Sequence, residues 1–332
     1  MDITTLNRKD FVSDSQVKWC RGCGDFNVLK VMQSMLAKTG RSRENSVFIS
    51  GIGCSSRFPY YLETYGFHTI HGRAPAIATG VKATNPALDV WVITGDGDAL
   101  SIGGNHFMHA IRRNQDIKIL LFNNAVYGLT KGQFSPTSAQ GWISKSSPNG
   151  SPDRAIRPLA LAASVGATFI ARTCDNDPKH LAMVLEAAAE HKGTVVVEIL
   201  QNCVIFNDGV HEPYYGPKNK TENLLYLEQG KPLSFGENED KKLIINGFGF
   251  KKTTVADPQQ FIHRQELQDL EYAFALANLS YPEFPVPVGI FRQVQQQTFD
   301  QLLMEKEKKA KQQHGGSDLT ALLQQGSYQR VV

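Results

Sequence analysis

Apolar residues fall along this chain in two alternating patterns. Val47-Phe48-Ile49-Ser50, Val90-Trp91-Val92-Ile93, Ile117 to Phe122, Thr168 to Ala171 and Val195 to Leu200 are short, mainly apolar runs. Between and around them lie Phe26 to Lys38, Ala74 to Ala83, His106 to Arg113, Pro158 to Ser164 and Pro178 to His191, which carry apolar residues at helical spacing. Short buried strands alternating with amphipathic helices predict an α/β fold, a parallel sheet with helices on both faces. Small residues in Ala76-Ile77-Ala78 and Gly80-Val81 predict a closely packed helix. The pattern loosens between Gly128 and Arg157, a stretch too long to be idle in a compact domain, which reads as a functional loop.

Both ends of the chain read differently. Residues 1–18 are polar and predict an N-terminal arm, leaving 19–205 as the α/β domain. From 206 to 332 the chain is richer in turn formers and is expected to form a C-terminal extension packing on the core and on a partner, without a core of its own. Within it, helices are expected over Gln259 to Asn278 and Val294 to Gln313, separated by an extended, proline-set segment from Tyr281 to Pro287.

Composition narrows the classes. The 332 residues are 41% hydrophobic and 20% charged, which argues against disorder. A net charge of +3 is too balanced to argue for nucleic acid. No apolar run approaches a membrane span, and Met1-Asp2-Ile3-Thr4 does not read as a signal peptide, so a cytoplasmic protein is expected. In that compartment the five cysteines are expected to be thiols or metal ligands.

In a parallel sheet the ligand site lies beyond the C-terminal strand ends. Four such ends carry unusual residues: Gly51 to Arg57, Thr94 to Asp98, Asn123 to Gly128, and Gln201-Asn202-Cys203. Parallel strands would bring all four to one edge. Gly95-Asp96-Gly97 and Asn123-Asn124 form the strongest signal. Asp96 and Asn124 each follow a strand, and an oxygen-rich pair of this kind suits Mg²⁺ beside phosphate oxygens. Glycines let the backbone approach a diphosphate. Either tripeptide alone would be an ordinary turn.

Cys20-Arg21-Gly22-Cys23 is a single CxxC, open to redox, zinc or cluster readings. A structural zinc site usually shows two close pairs, and a thioredoxin-like motif should follow a strand. Cys54 and Cys203 lie on the predicted edge. Four converging thiolates suit a [4Fe–4S] cluster, with zinc and unrelated thiols as the alternatives. Cys174 reads as a plain thiol.

The Gly-Asp-Gly and Asn-Asn pair resembles the diphosphate-binding motif of thiamine diphosphate enzymes. That resemblance implies Mg²⁺ held by Asp96, Asn124 and the Val126 carbonyl. Such enzymes need a second α/β module for the aminopyrimidine ring, and no second run of that kind is present here, so the module is expected on another polypeptide. With the cysteines included, the sequence resembles the β subunits of 2-oxoacid:ferredoxin oxidoreductases, most closely the bacterial 2-oxoglutarate type. The stretches that carry the resemblance are Trp19 to Gly24, Gly51 to Arg57, His71-Gly72-Arg73-Ala74, Gly95 to Asp98, Asn123 to Gly132 and Asn202-Cys203.

The resemblance implies that Cys20, Cys23, Cys54 and Cys203 hold a [4Fe–4S] cluster. It implies thiamine diphosphate contacts from Ile52, Gly53, Cys54, Ser55, His71, Gly97, Asp98, Gly128 and Leu129. The activity implied is CoA-dependent oxidative decarboxylation of a 2-oxoacid to an acyl-CoA, reversible as reductive carboxylation. An α subunit and ferredoxin would be partners in an (αβ)2 assembly. Arg57 and Lys131 are the expected substrate residues, for a carboxylate or for CoA, because a guanidinium binds a carboxylate in a bidentate fork. Ser135-Pro136-Thr137-Ser138 is expected to help gate the site. The competing readings are a pyruvate-type enzyme, a non-redox thiamine diphosphate decarboxylase or carboligase, and a metal-stabilised assembly subunit without catalysis.

Overall fold

A computed structural model describes residues 6–247, 249–254, 261–315 and 318–326. An eight-stranded sheet runs in the order β2-β1-β3-β4-β6-β5-β11-β7. Its strands are β1 (Ser46–Ser50), β2 (Tyr65–His68), β3 (Asp89–Gly95), β4 (Lys118–Asn123), β5 (Phe169–Cys174), β6 (Val195–Leu200), β7 (Leu224–Leu227) and β11 (Val286–Gln293). All neighbours pair in parallel except β11 with β5. The remaining strands, β8 (Ser234–Phe235), β9 (Lys241–Asn246) and β10 (Gly249–Thr253), form a small antiparallel sheet.

Alternation along each strand divides the core in two. Val47, Ile49, Val90, Val92, Ile119 and Leu121 face one side, where α2 (Ala74–Thr84) and α4 (Gly104–Arg112) cover them. Phe48, Trp91, Ile93, Leu120 and Phe122 face the other, under α1 (Asp25–Lys38) and α6 (Pro178–Glu190). Strands buried on both faces read as continuous apolar runs, which is why these five were legible. The first layer also takes in α5 (Pro158–Ser164). The short α3 (Asp96–Leu100) opens directly from β3.

Three expectations need correction. The C-terminal extension is woven into the domain and does not merely pack on it. After two single-turn helices, α7 (Glu212–Tyr215) and α8 (Lys220–Asn223), it supplies β7 and β11 to the central sheet. It also gives Leu225, Leu233, Leu243 and Leu276 to the first core layer. Prolines masked β11, but its pairing with β5 starts at Gly289, beyond Pro287, so no ladder bond on that side is lost. The helix expected over Gln259 to Asn278 is shorter. Gln259 and Gln260 lie outside the described residues, His263 pairs through its backbone with Gly230 and Lys231, and only α9 (Leu270–Ala277) is helical. The last long helix, α10 (Phe299–His314), starts five residues later than expected, because Thr298 caps it. The Thr298 hydroxyl accepts from Gln301 N–H, and the Gln301 side chain accepts from Thr298 N–H.

Of the N-terminal arm, the described part packs on the domain. Residues Arg8–Phe11 form a 3-10 turn whose Phe11 is fully buried in the second layer. Strand β2 was not anticipated. It is an edge strand with all four residues exposed, so it shows no burial pattern.

Candidate active site

The four predicted loops follow β1, β3, β4 and β6, which are consecutive, parallel neighbours in the sheet. Their C-terminal ends therefore share one edge. The chain moves from β1 outward to β2 and then returns to β3 on the other side, so a crevice opens between the β1 and β3 loops.

Asp98 joins the walls of that crevice. Its Oδ1 accepts from the backbone N–H of Ile52 at 3.0 Å and of Gly72 at 2.7 Å, and lies 2.7 Å from His71 Nδ1. Its Oδ2 accepts from the Thr94 hydroxyl at 2.7 Å. One buried carboxylate thus fixes three loops to one another. Gly51 makes room for it, since a Cβ there would stand 2.0 Å from Asp98 Oδ2.

A cavity of about 90 Å³ opens between these loops. All nine residues expected to contact thiamine diphosphate line it: Ile52, Gly53, Cys54, Ser55, His71, Gly97, Asp98, Gly128 and Leu129. So do Asp96, Asn124 and Val126, the three expected Mg²⁺ ligands. Asp96 is 2% exposed, and burial pushes its carboxyl up to about 6. Its Oδ2 accepts from the hydroxyls of Ser135 and Thr137, each at 2.5 Å. A buried carboxylate met only by neutral donors has an unmet demand for a cation. The donor set is all oxygen, as a hard cation requires.

Gly97 is confined by Tyr127. The Tyr127 hydroxyl donates to the Gly97 carbonyl at 3.0 Å, and a Cβ on Gly97 would lie 2.2 Å from the ring. Only glycine fits at the floor of this cavity.

A second cavity, of about 200 Å³, adjoins the first. Cys20, Cys23, Cys54 and Cys203 all line it, together with Asp25, Arg57, Lys131 and Gln201. Cys54, Asn124, Gly128 and Leu129 line both cavities and form the wall between them. Gly128 lies beside two of the sulfurs. A Cβ there would be 3.5 Å from Cys203 Sγ and 3.7 Å from Cys54 Sγ. Two hydrogen bonds hold the three cysteine segments together: the Trp19 side-chain Nε1 donates to the Cys54 carbonyl at 2.7 Å, and Gly24 N–H reaches the Asn202 carbonyl at 3.4 Å. Burial pushes the Cys54 thiol up to about 11, and burial with the nearby Asp25 raises Cys23 as well. Thiols so placed stay protonated unless a metal centre takes the charge. Among the described residues, no three His, Cys, Asp or Glu side chains are disposed to hold one metal ion. Cys174 is buried away from this cavity, beneath Tyr215 and Leu224.

Arg57 and Lys131, the expected substrate residues, line the cysteine cavity and not the smaller one. Arg57 is half-buried and donates to the Lys18 carbonyl at 3.1 Å, whereas Lys131 is exposed. The long loop from Gly128 to Arg157 has no helix or strand. Its Ser135 and Thr137 reach back onto Asp96, so this part of the loop forms a wall around that carboxylate.

Sequence reading put Thr94, Tyr127 and Gln201 on the right edge without giving them a role, because nothing in their spacing announces which neighbour they meet, and it missed Asp25. Asp25 is 1% exposed, with burial holding its carboxyl up to about 7. Its place two residues after Cys23 was the available signal.

Fold and edge together define a thiamine pyrophosphate-binding α/β domain. The family described as thiamine pyrophosphate enzyme, C-terminal TPP binding domain, matches residues 51–199. The 2-oxoglutarate oxidoreductase subunit KorB of Mycobacterium tuberculosis is 51% identical over 296 residues, covering 88% of this chain and 79% of that protein. The 2-oxoacid:ferredoxin oxidoreductase 1 subunit beta of Aeropyrum pernix is 48% identical over 224 residues, covering 68% of this chain and 70% of that protein. A solved structure of the 2-oxoglutarate:ferredoxin oxidoreductase from Magnetococcus marinus, with 2-oxoglutarate, coenzyme A and succinyl-CoA bound, superposes with a TM-score of 0.78. It has 31% sequence identity and covers 97% of this chain and 96% of that one. The chain belongs to the β subunits of the 2-oxoacid:ferredoxin oxidoreductases.

Proposed function

We propose that this chain is the β subunit of a cytoplasmic 2-oxoglutarate:ferredoxin oxidoreductase. With its partner it would convert 2-oxoglutarate and coenzyme A to succinyl-CoA and CO₂, passing two electrons one at a time to ferredoxin, and would run the carboxylation in reverse. The observation that carries this reading is the shared wall. A diphosphate-sized crevice lined by Asp96 and Asn124 adjoins a cavity lined by four cysteines, with Cys54, Asn124, Gly128 and Leu129 between them.

Thiamine diphosphate supplies the electron sink for decarboxylating a 2-oxo acid, and an iron–sulfur cluster accepts electrons singly. Asp96, Asn124 and the Val126 carbonyl would hold Mg²⁺ against the diphosphate. Asp98 would keep the Ile52 and Gly72 amides and His71 in register around it. Cys20, Cys23, Cys54 and Cys203 would hold a [4Fe–4S] cluster, since four thiols around a cavity suit a polynuclear centre better than one ion. Arg57, on the wall of the cysteine cavity, would meet a substrate carboxylate, and the exposed Lys131 would meet a carboxylate or CoA. An α subunit would supply the aminopyrimidine module in an (αβ)2 assembly.

The test is anaerobic co-expression with the α subunit. About four irons per β chain, bound thiamine diphosphate, and ferredoxin reduction that needs both 2-oxoglutarate and CoA are the expected results. An iron-free complex that decarboxylates without ferredoxin would favour the non-redox alternative. Pyruvate outcompeting 2-oxoglutarate, or an Arg57→Leu variant with unchanged substrate preference, would remove the substrate assignment.

A further inference from the structure

We propose that Gln201 is a positioning residue that couples the metal–diphosphate subsite to the cysteine cavity, a role that rests on the reading of the two cavities given above. Gln201 follows β6 directly and is 1% exposed. Its backbone N–H donates to the Asn123 carbonyl at 2.9 Å, so the strand ladder holds its Cα in place. The side chain then reaches both sites. Gln201 Oε1 accepts from Asn124 Nδ2 at 2.8 Å. Gln201 Nε2 approaches Cys23 Sγ at 3.3 Å and donates to the Asn202 carbonyl at 2.6 Å.

These bonds use both N–H donors of the glutamine and its carbonyl oxygen. Nδ2 of Asn124 is anchored, so its Oδ1 is turned to where the Val126 amide donates to it at 3.2 Å and where a cation beside Asp96 would be met. An amide is the group that can do this while also donating an N–H to sulfur. A carboxylate at the same place could accept from Asn124 and could not donate to Cys23. A thioether would accept only weakly and could not donate at all. Partners that orient a ligand commonly carry roughly 10–100-fold of metal affinity, and N–H donors to ligating sulfurs raise a cluster's reduction potential.

Two variants of the intact complex separate the two ends of the bridge. In Gln201→Met, the dissociation constant for Mg²⁺–thiamine diphosphate is expected to rise roughly tenfold. The midpoint potential of the cluster, followed by EPR-monitored titration, is expected to fall. In Gln201→Glu, Mg²⁺–thiamine diphosphate affinity stays near wild type while the potential falls. Adding Mg²⁺–thiamine diphosphate should alter the EPR spectrum of the reduced cluster in wild type and leave it unmoved in Gln201→Met. A purely structural role would lower the melting temperature of both variants and move neither affinity nor potential, and that result overturns the proposal. If Gln201→Met does not assemble, Gln201→Glu decides alone: unchanged potential overturns the proposal. A wild-type complex that binds no iron would instead sink the reading of the cavities, so the two failures are told apart before any variant is made.

Discussion

Replacing Gly97 by alanine tests whether the cofactor crevice is as tightly built as its geometry says. A Cβ on Gly97 would sit 2.2, 2.6 and 2.8 Å from three atoms of the Tyr127 ring. Those distances are far inside van der Waals contact, so the ring must move. Moving it breaks the 3.0 Å bond from the Tyr127 hydroxyl to the Gly97 carbonyl, worth about 1 kcal/mol. Overpacking adds about 1–3 kcal/mol. The strain falls on the Val126–Gly128 loop, which lines both cavities. If most of it is felt on binding, affinity for Mg²⁺–thiamine diphosphate drops by a factor on the order of 30 to 1,000. Calorimetric titration of the purified complex reads this directly. Gly80→Ala is the matched control: Gly80 is exposed within α2 with nothing within 4 Å of its Cβ position, so affinity should hold and the helix gain about 0.5–1 kcal/mol. Tyr127→Ala combined with Gly97→Ala removes the clash and should recover part of the loss. Wild-type affinity in Gly97→Ala, or a double variant weaker than the product of the two single losses, would refute the steric reasoning.

Serine at Cys20, Cys23, Cys54 or Cys203 should lower iron content and abolish ferredoxin reduction, while Cys174→Ser, outside the cavity, should keep its iron by colorimetric assay. Asp116 sits buried between Lys82 Nζ at 2.8 Å and Lys118 Nζ at 2.6 Å, which hold its carboxyl well below the usual range. Asp116→Asn strands two buried ammonium groups, and denaturant titration should show a loss of about 3–5 kcal/mol. His191 and His211 are held down to about 4 from 6.5, chiefly by burial. Between those values the unfolded chain takes up protons that the folded chain refuses, so stability is lost as pH falls from 6.5 toward 4, by up to about 3 kcal/mol per histidine. Thermal melts across that range should steepen accordingly, and His191→Gln should flatten the curve.

Whatever depends on short-range pattern was legible in the residues alone. Five strands buried on both faces announce themselves as apolar runs, and parallel alternation alone puts Asp96, Asn124, Cys54 and Cys203 at one edge. The Gly-Asp-Gly and Asn-Asn pair pointed to chemistry because the two motifs stand together at successive strand ends, and the CxxC because Cys54 and Cys203 on that edge could complete a set of four. Strand β2 escaped notice because an exposed edge has no burial period, and β11 because its prolines made it read as an extended connection outside the sheet.

Which distant groups meet is settled by the folded chain. Ser135 and Thr137 cap Asp96 across about 40 residues of chain. Gln201 touches Cys23 from 178 positions away. The C-terminal third becomes sheet because β5 offers it an open edge, a fact about β5 and not about the third itself. Hydrogen bonds and ion pairs act over a few ångströms and are blind to sequence separation. Periodicity can therefore say which face a residue takes, and only folding supplies its partner.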